Sequence, residues 1–284
     1  MKWQTEQIHF VNALKSIYPT SEAENIFLIA IEYITGKDLR ANLNHRFILT
    51  DTQQKQLKSI VSRLLNHEPI QYITNECWFY DIPFYVDENV LIPRPETEEL
   101  VHWIVNENKT DERLSILDVG TGSGCIPVIL KRKLTGATVY ACDVSTTALE
   151  VAKKNAEEHN ILINFLQLDF LDDKAWSSLP RVDIIVSNPP YIPLKDKKEM
   201  RENVLQYEPH VALFVKNESP LVFYKAIANC GKKILTENGR IYVEIHESLG
   251  PEVIKLFEQM GYAAALKKDM QGKDRMVKAM LKKE

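Results

Sequence analysis

The spacing of apolar residues changes period partway along the chain. Up to about residue 70 they recur at helical intervals. "SEAENIFLIAIEYITG" places Ser21 as an N-cap with Glu24 three residues later, a capping-box spacing, and predicts a helix that ends at Gly36. "TDTQQKQLKSIVSRLLNHEP" carries Leu57, Ile60, Val61, Leu64 and Leu65 on one helical face, with Pro69 as the stop. A first helix with Ile8, Val11 and Leu14 inward completes a small bundle. Nothing in the bundle carries chemistry, which leaves it a scaffold or a docking surface for a partner.

From Ile70 to Val90 aromatic and β-branched residues alternate with Asn, Asp and Pro, the text of a hairpin connector. From Leu114 onward, short apolar runs alternate with helical stretches. "LSILDVG", "TVYACDV", "INFLQLD", "VDIIVSN" and "GRIYVEIH" read as strands, and "STTALEVAKKNAEEH", capped by Ser145, and "PLVFYKAIANCGKKIL" as helices. Near-continuous apolar strands alternating with helices predict an α/β fold with a mostly parallel sheet covered on both faces. The closing "AAALKKDMQGKDRMVKAML" predicts two strands turning at Gln271-Gly272, an antiparallel C-terminal edge. The expected domains are a helical unit over 1–70, a hairpin linker over 71–95 and a sheet domain over 96–284.

Charge and cysteine usage narrow the function classes. A net charge of −4 is a poor footprint for a protein living on nucleic acid, where a basic face is expected. The four cysteines form no C-x-x-C pair and the histidines no H-E-x-x-H, so reduced thiols and no metal site are expected. The first 20 residues lack the apolar run of a signal peptide, and no stretch approaches a membrane span. The expected location is the cytoplasm.

The candidate chemistry collects at strand ends. "ILDVGTGSGCIPVIL" is a strand, a glycine turn (Gly120, Thr121, Gly122, Ser123, Gly124) and a helix. Its G-x-G-x-G spacing differs from the dinucleotide fingerprint, but it still permits close approach of a ligand beside a helix N-terminus. Asp118 ends the first strand. Asp143 ends the second, placed to accept both hydroxyls of a ribose, and Asp169 with Phe170 ends the third, where a carboxylate and a ring suit an adenine. Open α/β sheets bind ligands beyond the carboxyl ends of their strands. At the fourth end stands Asn188-Pro189-Pro190-Tyr191, a stiff hook: proline fixes its own φ, lacks an N–H and pushes the preceding residue to extended backbone. The Asn188 side-chain oxygen and the Pro189 carbonyl form two acceptors for a planar –NH₂, and Tyr191 offers a flat face beside them. Such a hook suits attack by an amide or aromatic amine on an electrophilic methyl, where positioning is the main lever.

The glycine loop and the Asn-Pro-Pro-Tyr hook resemble class I, Rossmann-like methyltransferases that use S-adenosylmethionine and act on planar amino groups. Residues 68–101, with "IPRPETE" at their core, resemble the HemK/PrmC family, the glutamine methyltransferases of peptide chain release factors. The resemblance covers most of the chain. It implies S-adenosylmethionine as cofactor, S-adenosylhomocysteine as product and a class I release factor as protein partner. The methyl acceptor it implies is the side-chain amide of the glutamine in a Gly-Gly-Gln loop. By motif match Gly120 through Gly124, Asp143, Phe170 and Asn188 fall on the cofactor positions, and Asn188, Pro189, Pro190 and Tyr191 on the glutamine positions. The chain departs from the family in Phe170, where tryptophan is frequent, in "EIH" at 244–246, and in missing glycines after "YEPHVAL". Lone His246 reads as structural. Methylation of adenine in DNA or RNA, or of a ribosomal-protein glutamine, would use the same hook, whereas a non-catalytic cofactor-binding regulator would have no use for it.

Overall fold

The computed structural model describes residues 3–37, 48–109 and 113–282. It divides into two compact units, one of residues 1–76 with 201–207, the other of residues 77–200 with 208–284.

The first unit is helical: α1 (Trp3–Leu14), α2 (Thr20–Thr35), α3 (Asp51–Leu65), α4 (Ile70–Thr74) and, numbered in chain order, the short α8 (Glu202–Tyr207). Phe10, Leu14, Phe27, Ile31, Leu57, Ile60 and Leu64 form its core. Three expectations are corrected here. Pro19, not Ser21, is the N-cap of α2, because its ring holds the extended backbone that precedes a first turn. On α1 the inward residues are Phe10 and Leu14, while Ile8 is 60% exposed. Pro69 does not only stop α3; it opens α4 within the stretch expected to be hairpin. Thr50 and Gln53 make a reciprocal capping box at the start of α3, and Gly36 closes α2 at φ 65° as expected.

The second unit opens with a hairpin, β1 (Glu76–Phe79) and β2 (Ile82–Tyr85), turning at Tyr80 and Asp81. Both turn residues have positive φ, 53° and 63°, the geometry whose twist matches two tightly joined strands. Then come α5 (Pro95–Glu107), β3 (Ser115–Val119), α6 (Cys125–Lys133), β4 (Thr138–Asp143), α7 (Thr146–Glu158), β5 (Asn164–Gln167), β6 (Val182–Ser187), and a two-residue ladder of β7 (Ile192–Pro193) with β8 (Phe214–Val215) around α9 (His210–Leu213). The chain closes with α10 (Val222–Ile234), β9 (Leu235–Glu244), α11 (Gly250–Gln259), β10 (Tyr262–Lys268) and β11 (Asp274–Leu281). Seven strands form one sheet in the order β10-β11-β9-β6-β3-β4-β5. The pairs from β9 through β5 are parallel, and β11 runs antiparallel between β9 and β10. This is the class I methyltransferase topology with its antiparallel C-terminal edge.

Two cores follow from alternation along the strands. Ile116, Ile184 and Val186 face one side with α5, α6 and the hairpin's Phe79 and Phe84. Leu117, Ile185 and Val243 face the other with α10 and α11. Helix α5 fell outside the expected elements. Pro95 at its first position and Thr97, Leu100, Val101, Ile104 and Val105 buried along one face form it.

Candidate active site

A cavity of about 330 Å³ opens beyond the carboxyl ends of β3, β4, β5 and β6. Gly120, Thr121, Gly122 and Ser123 form one part of its wall, Asp143 and Ser145 another, and Asp169 and Phe170 a third. Asn188, Pro189 and Pro190 line it at the end of β6.

The glycine turn is shaped by its backbone. Gly120, Gly122 and Gly124 have φ of 73°, 54° and 78°, values that disfavour any side chain. At Gly120 and Gly122 a Cβ would meet nothing within 4 Å, so open space lies beside the turn. Gly124 does different work. It does not line the cavity, and a Cβ there would come within 3.0 Å of the Ala152 Cβ, so it lets α6 start close against α7. Asn155 of α7 locks the turn from behind, donating to the carbonyls of Ser123 (2.8 Å) and Tyr85 (2.9 Å) and accepting from the Tyr85 N–H.

Asp143 accepts from the Gly122 N–H through Oδ2 and from the Ser145 N–H through Oδ1, each at 3.0 Å. Each oxygen keeps lone-pair capacity for a ligand hydroxyl. Ser145 caps α7, accepting from the Ala148 N–H. Asp169 is exposed and accepts from the Leu171 N–H, and the Phe170 ring lies 5.8 Å from that of Trp176.

Asp118 is fully buried, and neither carboxyl oxygen has a hydrogen-bond partner among the described residues. It lies beneath the turn and does not line the cavity. Burial pushes its pKa up to about 7, with the Asp143 carboxylate adding to the rise. The folded-state pKa therefore stands above the unfolded one, so the folded protein holds the extra proton and loses stability as pH climbs from about 4 to 7. Asp118→Asn removes that loss. The variant is expected to melt several degrees higher than the wild type at pH 8.5, relative to the difference at pH 5, in ligand-free thermal scans.

The hook is braced by residues the sequence did not single out. Asn188 donates through Nδ2 to Thr97 Oγ1 at 3.0 Å, and Thr97 donates to buried Glu244 at 2.6 Å. Among the described residues neither Asn188 Oδ1 nor the Pro189 carbonyl has a donor. Tyr191 departs from expectation. It does not line the cavity; its hydroxyl reaches Glu244 at 3.3 Å and its ring lies 5.9 Å from that of His246. Burial and the adjacent Glu244 carboxylate hold the phenol well above its usual range. His246 accepts from the Ser248 N–H. Arg94, beside the hook, pairs with Glu208, a residue only 3% exposed that also accepts from the Ile92 N–H. That pair joins the 89–94 wall of the cavity to the 209–212 wall.

Residues 8–74 match the PrmC N-terminal domain, and residues 97–208 match the Methyltransferase small domain. Over 274 residues the chain is 44% identical to the release factor glutamine methyltransferase of Flavobacterium psychrophilum, covering 95% of each chain. The chain belongs to the release factor glutamine methyltransferase family. The corresponding enzyme of Bacteroides thetaiotaomicron is 41% identical over 94% of this chain and 96% of its own. A methyltransferase from Pyrococcus furiosus, 16% identical, superposes with a TM-score of 0.51 over 77% of this chain and 95% of its own, and shares the fold.

Members of this family are S-adenosylmethionine-dependent enzymes, and the residues present suit that cofactor. Open space beside the turn, a carboxylate with spare lone pairs at the end of β4, and an aromatic wall at the end of β5 match a sulfonium amino acid, a ribose and an adenine. The four cysteines are buried and none is in a disulfide, and burial pushes the thiols of Cys125 and Cys142, which line the cavity, far up, away from nucleophilic use. Among the described residues no helix is long and apolar enough to cross a membrane.

Proposed function

We propose that this enzyme transfers a methyl group from S-adenosylmethionine to the side-chain amide nitrogen, N5, of the glutamine in the Gly-Gly-Gln motif of class I peptide chain release factors. One observation carries the reading. Asn188 is anchored through its nitrogen, which leaves Oδ1 and the nearby Pro189 carbonyl without protein donors in the wall of the cofactor cavity. Two such acceptors fit the two N–H bonds of a primary amide.

The chemistry needs this grip because an amide nitrogen's lone pair is delocalised into its carbonyl. S-adenosylmethionine supplies a methyl made electrophilic by the sulfonium. Asn188 and Pro189 hold the nitrogen in line, and positioning of this kind lowers a barrier by up to about 7–11 kcal/mol when the geometry is ideal. Bound there, the cofactor would give up its methyl and depart as a neutral thioether, while the Asn188 and Pro189 oxygens would keep both N–H bonds oriented until the methylated nitrogen releases a proton to solvent water. Gly120, Gly122, Asp143, Asp169 and Phe170 hold the cofactor in this reading, with Asp118 beneath them.

Incubation with labelled cofactor and intact release factor, followed by mass spectrometry of the Gly-Gly-Gln peptide, tests the assignment. A single added methyl on that glutamine is expected. Label entering nucleic acid or ribosomal protein instead overturns it.

The helical unit is the second contact in this proposal. A primary amide offers too little surface to select one glutamine, so discrimination needs contacts remote from the reacting atom. Simple removal of the first 68 residues is a poor probe, because α8 belongs to the same unit: Tyr207 donates to the Asn66 carbonyl and Glu202 pairs with His67. Substitution at exposed apolar positions is cleaner. Ile8 and Tyr33 are 60% and 55% exposed. The double variant Ile8→Glu, Tyr33→Glu is expected to raise KM for intact release factor roughly tenfold, as loss of about 1.4 kcal/mol of docking energy predicts. Its rate on a short Gly-Gly-Gln peptide should match the wild type. Equal effects on both substrates refute docking at these positions.

A further inference from the structure

Glu244 ends β9 almost wholly buried, and its two oxygens serve two ends of the hook. Oε2 accepts from Thr97 Oγ1, and Oε1 accepts from the Tyr191 hydroxyl. Thr97 sits in the first turn of α5, so the relay joins α5, β9 and the segment after β6.

Donor bookkeeping decides which way Asn188 points. A carboxylate only accepts, and a hydroxyl has one proton. With the Thr97 proton committed to Glu244, the Thr97 oxygen can only accept from Asn188. The atom facing it must be the –NH₂, and the carbonyl oxygen is left for the ligand. Resting on the glutamine-amide reading above, we propose that Glu244, acting through Thr97, is the positioning residue that presents the Asn188 carbonyl oxygen to the substrate amide. Its second oxygen holds Tyr191, so one carboxylate spans both ends of the Asn-Pro-Pro-Tyr segment. Thr97 lines the cavity and Glu244 does not, so Glu244 acts on the substrate amide only through its partners.

The relay reverses on protonation. A neutral Glu244 donates to Thr97, the freed hydroxyl donates to Asn188 Oδ1, and the amide turns its –NH₂ toward the cavity, where it opposes the substrate's own N–H. The groups facing Glu244 are Thr97 and Glu96 of α5, Tyr191 after β6, Tyr224 of α10, whose hydroxyl donates to the Glu244 carbonyl, and Arg275 of β11, itself paired with Asp269 and near Glu247. His246 lies behind Tyr191. Burial outweighs Arg275 and raises the carboxyl pKa to about 7. Methyl transfer should therefore fall as pH drops through about 7.

Single-turnover transfer to release factor, S-adenosylhomocysteine affinity by calorimetry and pH profiles test the relay on the full chain. Thr97→Val is expected to transfer at least 30-fold more slowly with product affinity within twofold of wild type. Thr97→Ser should recover the rate to within threefold. Glu244→Gln keeps an acceptor for Thr97 and has no proton to gain, so it should stay within tenfold of wild type at pH 8 and lose the acid limb. A Thr97→Val enzyme with wild-type rate and profile overturns the proposal, and so does one whose product affinity falls in step with its rate. A substrate-free readout separates this from the choice of substrate. The nitrogen-15 signal of the Asn188 side-chain amide, identified by its loss in Asn188→Ala, should shift through about pH 7 in wild type and stay fixed in Glu244→Gln. If release factor is left unmethylated while that signal titrates as stated, the substrate reading fails and the relay stands; a signal that does not titrate sinks the relay.

Discussion

Asn188→Ala is expected to lose at least a thousandfold in methyl transfer while binding S-adenosylhomocysteine within about threefold of the wild type. In the proposed reading the side chain supplies one of two acceptors for the substrate amide. An unmatched N–H facing a largely apolar cavity wall costs roughly 1–3 kcal/mol, and a nitrogen that is free to tilt forfeits part of the positioning gain. Together these reach about 4 kcal/mol, which at 1.36 kcal/mol per decade is about a thousandfold. Removing the amide also leaves the Thr97 hydroxyl without its donor, though Thr97 still donates to Glu244. Asn188→Asp discriminates further. It keeps an acceptor but sets a carboxylate against Thr97, which must then choose between two acceptors. Its rate should fall nearly as far. Calorimetry with the product and single-turnover kinetics with release factor measure both halves. A variant of either kind with wild-type turnover removes Asn188 from the clamp.

The sheet was legible because its strands are short apolar runs ended by polar residues, and Asp118, Asp143, Asp169 and Asn188 mark four of those ends in order. The hairpin's location could be read, but its turn could not. Tyr80 and Asp81 both adopt positive φ with no glycine between them, held in part by Glu98, which accepts from the Tyr80 N–H. Ser21 looked like a cap because local spacing allowed it, yet Pro19 two residues earlier already fixes the backbone that a helix start requires. Ile8 and Phe10 are both apolar on α1, and only the packing against α2, where Phe10 meets Phe27 at 5.3 Å, decides which is inside. The brace behind the hook was out of reach for a different reason. Thr97 and Glu244 are 147 positions apart, and no local pattern pairs the two. Tyr191 was assigned to the cavity because aromatics beside a substrate amide commonly stack on it, but its hydroxyl is drawn to Glu244 instead. Thr97 in "RPETE" did carry a signal: a threonine at the third position of a helix whose N-terminus begins with proline, on the face that is otherwise apolar.

Asp143→Ala is expected to reverse the Asn188 pattern, with cofactor affinity falling by two to three orders of magnitude and turnover at saturating cofactor much less affected. Asp143 works on two levels. Its oxygens accept the N–H groups of Gly122 and Ser145, which fixes the glycine turn relative to the start of α7. Asp143 also lines the cavity, and in the proposed reading its remaining lone pairs accept the paired hydroxyls of a ribose. Hydrogen bonds to a charged group contribute about 1.5–3 kcal/mol each. Two lost to the ligand give about 3–4 kcal/mol once water partly replaces them, or two to three decades at 1.4 kcal/mol per decade. Asp143→Asn separates the levels. Its single carbonyl oxygen can still accept one N–H, and its –NH₂ confronts the other, so the turn loosens along with the ribose contact. A 2′-deoxyribosyl analogue of the product then isolates the ligand contribution, because it leaves the turn untouched. On wild-type protein the analogue should bind about tenfold more weakly than S-adenosylhomocysteine, and on Asp143→Ala the two should bind alike. If the analogue loses the same factor on both proteins, the carboxylate does not read the ribose and serves only the glycine turn.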